Sequence, residues 1–276
     1  MRRRGARGHV TRVGIFHALS QSARSYCPLP MARVLMPLPD RDFDPTEAAV
    51  PWKMLREAGH DVVFATERGA VAACDPLLVT GVMFGELGAK AEPKGFYAEM
   101  VASKELRSPI TWSAIDPAAF DALVLPGGHA QGMKQYLASD VLHEKVATFA
   151  ASGKPLAAIC HGVLVLARAK DPKTGKSVLH GRRTTCLPKY MERVAYYLTA
   201  WKLGRYYRTY DAYVEDEVKS ALEDPSHFER GPLTLTKHGV AASDAGAFVV
   251  EDGSYVSARW PGDAYLVGKK ILERLA

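Results

Sequence analysis

The stretch Lys154-Pro155-Leu156-Ala157-Ala158-Ile159-Cys160-His161-Gly162-Val163-Leu164-Val165-Leu166-Ala167 decides how this chain is built. Residues 155–159 are an apolar run of the length of a buried parallel strand. Residues 163–167 carry too many large apolar side chains for a surface segment and read as a buried helix. Only Cys160, His161 and Gly162 lie between them, which leaves no room for a loop. A strand that becomes a helix within three residues must turn sharply. It then holds the turn residue at the strand's C-terminal edge, with the side chain pointing out of the sheet. Gly162 allows helix and strand to approach where a side chain would block them. This is a nucleophile elbow with a thiol in the nucleophile position. A helix N-terminus favours thiolate over thiol, and its N–H groups can hold a developing oxyanion. The plainer reading of Cys160 is a small buried hydrophobe, and the rest of the chain tips the balance toward a reactive residue.

Outward from the elbow, strands and helices alternate. Residues 32–36 read as a first strand, followed by a Pro- and Asp-rich loop at 37–45. Thr46 can cap a helix to about Ala58, with Ala48, Trp52 and Leu55 on one face and Gly59 as its stop. Residues 61–65 are a second strand, and the βαβ unit so formed implies a parallel sheet. Residues 67–117 read as an insertion containing a helix at 95–106, packed over the sheet edge or the site. A third strand, 122–125, ends in Pro126-Gly127-Gly128-His129. Ser139 or Asp140 starts a helix that Gly153 ends. Beyond the elbow helix, 183–186 reads as a short strand and 190–222 as a long tyrosine-rich helical stretch. Asp252-Gly253 between apolar runs at 248–250 and 255–258 marks a hairpin. An amphipathic helix at 263–275 closes the chain.

Composition narrows the function classes. No apolar run approaches the ~18 residues that span a membrane. The four cysteines, at 27, 74, 160 and 186, form no CxxC pair, so no metal or disulfide framework is expected, and a reducing, cytoplasmic setting fits. The net charge of +6 suggests nucleic acid until it is located. Six of the 36 basic residues, and none of the 30 acidic ones, lie in residues 1–30, so residues 31–276 are balanced and no nucleic-acid face is expected. Those first thirty residues read as an organellar targeting segment, a disordered tail or an over-extended translation start. The last is favoured because a strand follows Met31 at once. Residues 31–276 are expected to be one domain. Gly175-Lys176-Ser177 lacks the earlier glycine of a phosphate loop, so no nucleotide cofactor is expected.

Three local features point to one crevice, because ligands bind at strand C-termini in open parallel sheets. Cys160 is at one such end. Gly127-Gly128 is at another, where backbone N–H groups can approach a ligand; the N–H groups of Gly128 and His161 would form an oxyanion hole. Glu47 follows the first strand in the first helical turn. That position suits a carboxylate for dipole reasons alone, yet it also reaches the crevice, where burial would raise its pKa and let it shuttle a proton. His161 can act as a base if an acid orients it. The other histidines show no ligand spacing; His129 is the exception because of where it lies, and it joins Gly127 and Gly128 as a candidate oxyanion or substrate-binding residue.

Leu125-Pro126-Gly127-Gly128-His129 followed by Ala158-Ile159-Cys160-His161-Gly162, with Glu47-Ala48-Ala49-Val50-Pro51 at the first helix, resembles the ThiJ/PfpI superfamily, relatives of the class I glutamine amidotransferases. The Pro-Gly-Gly-His wording and the insertion look most like its heat-shock chaperone and glutathione-independent glyoxalase III branch. The resemblance implies a flavodoxin-like three-layer α/β sandwich with a mostly parallel central sheet. It also implies a Cys160–His161 pair with Glu47 hydrogen-bonded to the thiol. An acid usually stands behind the histidine. Lys189 falls where some members carry aspartate, and Glu192 falls where others carry glutamate, so the orienting role is carried to Glu192. The tyrosines of 196–213 depart from the branch and read as a helix pair packing through aromatics, with a changed substrate as the alternative.

The resemblance implies a cofactor-free enzyme that converts methylglyoxal to lactate, or a related deglycase, acting on a small reactive aldehyde or amide, with a homodimer allowed. A stress chaperone, a redox sensor using the same cysteine, or a PfpI-like amide hydrolase is the alternative. A glutamine amidotransferase would place His-x-Glu near the C-terminus. His227-Phe228-Glu229 matches that wording but reads as a solvated loop.

Overall fold

A computed structural model describes residues 31–82 and 87–276. The readings made for residues 1–30 lie outside the described residues. The chain forms strands β1 (Arg33–Pro37), β2 (Arg41–Phe43), β3 (Asp61–Thr66), β4 (Ala73–Cys74), β5 (Ile110–Thr111), β6 (Ala122–Leu125), β7 (Leu156–Ile159), β8 (Val249–Asp252) and β9 (Tyr255–Ala258). Between them run helices α1 (Pro45–Glu57), α2 (Pro76–Thr80), α3 (Ala91–Ala102), α4 (Lys104–Arg107), α5 (Met133–Leu137), α6 (Asp140–Ala150), α7 (Gly162–Arg168), α8 (Lys189–Leu203), α9 (Val214–Ala221) and α10 (Ala264–Leu275).

Seven strands form the central sheet in the order β5-β3-β1-β6-β7-β9-β8. Every neighbouring pair is parallel except β8 and β9, the hairpin turned at Asp252-Gly253. Strands β6 and β7 are buried at every residue, as a sheet covered on both faces requires. Helices α1, α3 and α10 pack together, as do α6, α7 and α9. With the sheet between them they make a flavodoxin-like three-layer α/β fold. The chain runs outward from β1 to β3, then returns to place β6 on the other side of β1. That reversal opens a crevice at the strand C-termini.

Several local expectations change. The cap of α1 is Asp44, not Thr46: its Oδ1 accepts the N–H groups of Thr46 and Glu47 at 2.8 and 3.1 Å. Residues 183–186 do not join the sheet; Thr184 makes a single bridge to Phe228. That bridge also makes His227-Phe228-Glu229 a structured turn with Phe228 buried, not a solvated loop. The helical stretch at 190–222 is two helices broken at Gly204, whose φ of +57° ends α8. The insertion supplies α2 to α4 and adds β5 to the sheet edge.

Candidate active site

Three adjacent strands deliver the site. Pro37 ends β1, and the loop after it passes through β2 to Asp44 and the first turn of α1, which carries Glu47. Strand β6 ends before Gly127, and β7 ends just before Cys160. Cys160 sits at φ +56°, in the left-handed region that a non-glycine residue rarely occupies. Its backbone N–H is fixed to Ala258 O at 3.0 Å. The elbow is locked from beneath by Gly162, where an added Cβ would stand 2.2 Å from Leu125 O.

Gly127 has a different role from the one expected. Its N–H donates to Glu47 Oε2 at 2.8 Å, so it holds the carboxyl and does not face an oxyanion. A Cβ there would lie 2.7 Å from His161 N and 2.8 Å from Glu47 Oε2, so only glycine lets the two strand ends meet. Glu47 is fully buried, and its second oxygen, Oε1, has no hydrogen-bond partner among the described residues. Burial, reinforced by the neighbouring Asp44 carboxylate, holds the Glu47 carboxyl well above the usual carboxylate range. Asp44 itself is pushed up to about 7, again by burial first. The first turn of α1 therefore carries a proton near neutral pH.

The resting state of Cys160 also differs from expectation. The side chain is 1% exposed, and burial, with the nearby Glu47 carboxylate, pushes the thiol up, although the His161 N–H opposes that shift. A resting thiol, not a low-pKa thiolate, is what this environment favours. Its acceptor is at hand: Cys160 Sγ lies 3.5 Å from His161 Nδ1. Burial, together with His129, Arg168 and Arg208, keeps His161 neutral by lowering its pKa.

Glu192 does not orient His161. Its Oε1 accepts from Arg208 Nη1 at 2.6 Å and its Oε2 from Val214 N at 3.0 Å, in a buried ion pair that ties α8 to the start of α9. The group behind His161 is Thr209, whose Oγ1 lies 3.4 Å from Nε2. That hydroxyl has one hydrogen, which it donates to His129 O at 2.6 Å. Toward His161 it can only accept. Nε2 therefore carries the ring proton, and the Nδ1 lone pair faces the thiol. Sequence reasoning misses Thr209 because nothing in its local sequence marks it.

His129 closes the cluster. Its ring meets that of His161 edge-on with centroids 4.9 Å apart, and burial lowers its pKa to about 4. Its Nε2 is buried without a partner among the described residues. His129, Cys160 and His161 bring one ligand atom each within 4.8 Å of one another, a metal-capable grouping that sequence spacing does not reveal. Beside the cluster opens a cavity of about 460 Å³, with Asp44, Thr46, His129 and Tyr207 on its wall.

A ThiJ/PfpI family-like model matches residues 38–232, most of the chain and all of the cluster. The chain belongs to the ThiJ/PfpI family. Among its relatives, a deglycase of Pyrococcus horikoshii is 32% identical over 85% of this chain and 94% of its own length. Glyoxalase 3 of Candida albicans is 29% identical over 50% of this chain and 57% of its own. The crystal structure of that glyoxalase III superposes with a TM-score of 0.64 at 21% identity, covering 88% of this chain and 97% of the other, which shows the shared ThiJ/PfpI fold. No helix among the described residues is long and apolar enough to cross a membrane.

Proposed function

We propose that this ThiJ/PfpI protein is a cysteine-dependent, glutathione-independent glyoxalase that converts methylglyoxal to lactate. The observation that carries the reading is the meeting of Glu47, Cys160 and His161 in one buried cluster, with the thiol beside a neutral imidazole nitrogen. The names of the deglycase and glyoxalase relatives support it.

The reaction uses only groups of this chain and water. Cys160 Sγ bonds to the aldehyde carbon while its proton passes to His161 Nδ1. The N–H groups of Gly128 and His161 would hold the new oxyanion, which takes that proton to give a hemithioacetal. Glu47, in its ionised form, removes the remaining hydrogen of that carbon as a proton and returns it to the adjacent carbonyl carbon, while the hemithioacetal hydroxyl gives its proton to the former ketone oxygen. The product is a 2-hydroxythioester. Water then cleaves the carbon–sulfur bond, releasing lactate and restoring the thiol. One water enters, and the aldehyde is oxidised by the reduction of its own ketone, so no external oxidant is required. Hydrolysis of early glyoxal adducts on amines, as a deglycase performs, would begin at the same thiol.

The test is lactate formation from methylglyoxal, without glutathione, by the full chain and by Cys160→Ala. Turnover that vanishes in the variant is expected; a parent without turnover overturns the reading.

The redox-sensor alternative fits poorly with a buried thiol whose pKa is raised, because oxidation follows thiolate character and access. A chaperone reading is favoured by one observation: α8 holds Tyr197 and Trp201 in solvent, at 62% and 70% exposure. Suppression of client aggregation that survives Glu47→Gln and is lost in Trp201→Asp would support it.

A further inference from the structure

Methylglyoxal is a three-carbon molecule, and the cavity beside the cluster is far larger than it needs. At about 460 Å³ it has the size of a pocket for a drug-sized ligand. Its wall is also the wrong chemistry for a small polar dicarbonyl. Helix α8 presents Met191, Val194, Ala195, Leu198 and Thr199 to it, at spacings of three and four residues that put them on one helical face. Leu78 and Val82 of the insertion also line it. Asp44, Thr46 and His129 stand where it meets the cluster, with Tyr207 packed edge-on against His129 at 6.0 Å, and Lys90, Thr236 and His238 also line it.

The wall is anchored, and the tyrosines of the segment do the anchoring. Tyr206 and Tyr207 both donate to the Asp75 carboxylate at 2.9 Å, which ties the turn after α8 to the insertion. Asp75 also caps α2, where Leu78 sits. Gln131 Nε2 bonds the carbonyls of Arg205 and Arg208 at 2.9 and 2.6 Å, fixing the same turn to the loop after His129. The insertion and the α8 segment therefore share one largely apolar cavity, which His129 of the reactive cluster also lines.

We infer that the physiological substrate is a 2-oxoaldehyde bearing an apolar substituent, whose dicarbonyl head meets Cys160 at the His129 end while its tail lies along the Met191–Ala195–Leu198 face of α8. This inference rests on the glyoxalase reading. The head reacts as methylglyoxal would, giving a 2-hydroxy acid with the tail unchanged. Each methylene that leaves water in such a pocket adds to transition-state binding.

Two measurements test it. The first compares kcat/KM for 2-oxooctanal and methylglyoxal in the full chain and in Ala195→Trp, whose side chain would fill the cavity. The parent should favour the longer substrate by at least about tenfold, and the ratio should fall toward one in the variant. Equal values in the parent, or a ratio untouched by Ala195→Trp, overturn the inference. The second is calorimetric binding of 2-octanone, with acetone as the short control, to Cys160→Ala and to Cys160→Ala with Ala195→Trp. Binding of 2-octanone alone, weakened by the second substitution, is expected. If neither aldehyde is turned over yet 2-octanone binds in this pattern, the glyoxalase reading falls and the apolar carbonyl pocket stands. If 2-octanone does not bind, the pocket assignment falls. Leu198→Gln, at a half-exposed position, repeats the test where Ala195→Trp fails to fold.

Discussion

The two walls of the site are built by different means. The wall at the strand ends is made of local devices: an elbow at Cys160, a cap at Asp44, and glycines at 127 and 162 whose replacement would drive a Cβ into backbone atoms. Each is fixed by a few neighbouring residues and tolerates little change. The opposite wall, α8 and the turn to α9, is held by long-range links: Glu192 to Arg208, Gln131 to the carbonyls of 205 and 208, and Tyr206 and Tyr207 to Asp75. One wall sets the chemistry and the other sets what fits against it. Removing the Glu47 carboxyl from the first should change rate at constant fold, and removing the Glu192 carboxyl from the second should change stability at constant chemistry.

Glu47→Gln gives the largest separation. The amide oxygen still accepts the Gly127 N–H, so the fold is kept, while turnover falls by about 10²–10⁴-fold. The reaction needs ionised Glu47, and its pKa is raised, so kcat of the parent should climb with pH along a limb above the ordinary carboxylate range. That limb should be missing in the variant. Parental turnover in Glu47→Gln would remove this carboxyl from the chemistry.

Glu192→Ala should do the reverse. It strands the buried Arg208 guanidinium and costs about 3–5 kcal/mol in denaturant unfolding. The shape of the pH–rate profile should match the parent, because the carboxyl does not touch His161. A displaced profile would reinstate Glu192 as the acid behind the histidine.

Asp44→Asn keeps a capping oxygen and removes a titration. Folded Asp44 keeps its proton up to about 7, whereas the unfolded carboxyl releases it near 3.8. The folded state thus binds more protons between those values, and stability falls as pH rises through them. Unfolding free energies measured across that window should be flatter in the variant, by on the order of 4 kcal/mol. An unchanged slope would move the titration elsewhere.

Thr209→Val should have the smallest effect. It removes the acceptor of the His161 Nε2–H and the donor to His129 O. The loss of a neutral hydrogen bond corresponds to about fivefold in kcat/KM. Thr209→Ser should restore it. Parental kinetics in Thr209→Val would mean that the tautomer is set by something else.

The same division decides what can be read in the sequence. The elbow, the Gly127-Gly128 turn and Glu47 each announce themselves within five residues, because strand-to-helix turns and helix starts have few chemical solutions. Cys160, His161 and Glu47 do come together. The role given to Glu192 rests on its matching a family position after the 183–186 segment, and that fails because the break at Gly204 folds Arg208 back onto it. Thr209 and the cavity have no local mark at all. The apolar face of α8 is visible as a stripe, but a stripe does not say whether it meets a core or an empty space. The thiol's resting state escapes the sequence for a related reason: a helix start can be read from sequence, whereas burial to 1% exposure depends on everything packed around it.

The central claim is that chemistry passes through Cys160 as a thioester. It is tested most directly by acid-quenching the full chain during methylglyoxal turnover and mapping the adduct by mass spectrometry. The account predicts a lactoyl thioester on Cys160, replaced in Glu47→Gln by the unrearranged hemithioacetal or its loss. Turnover with Cys160 unmodified, or with the lactoyl group on Cys74 or Cys186, would contradict it.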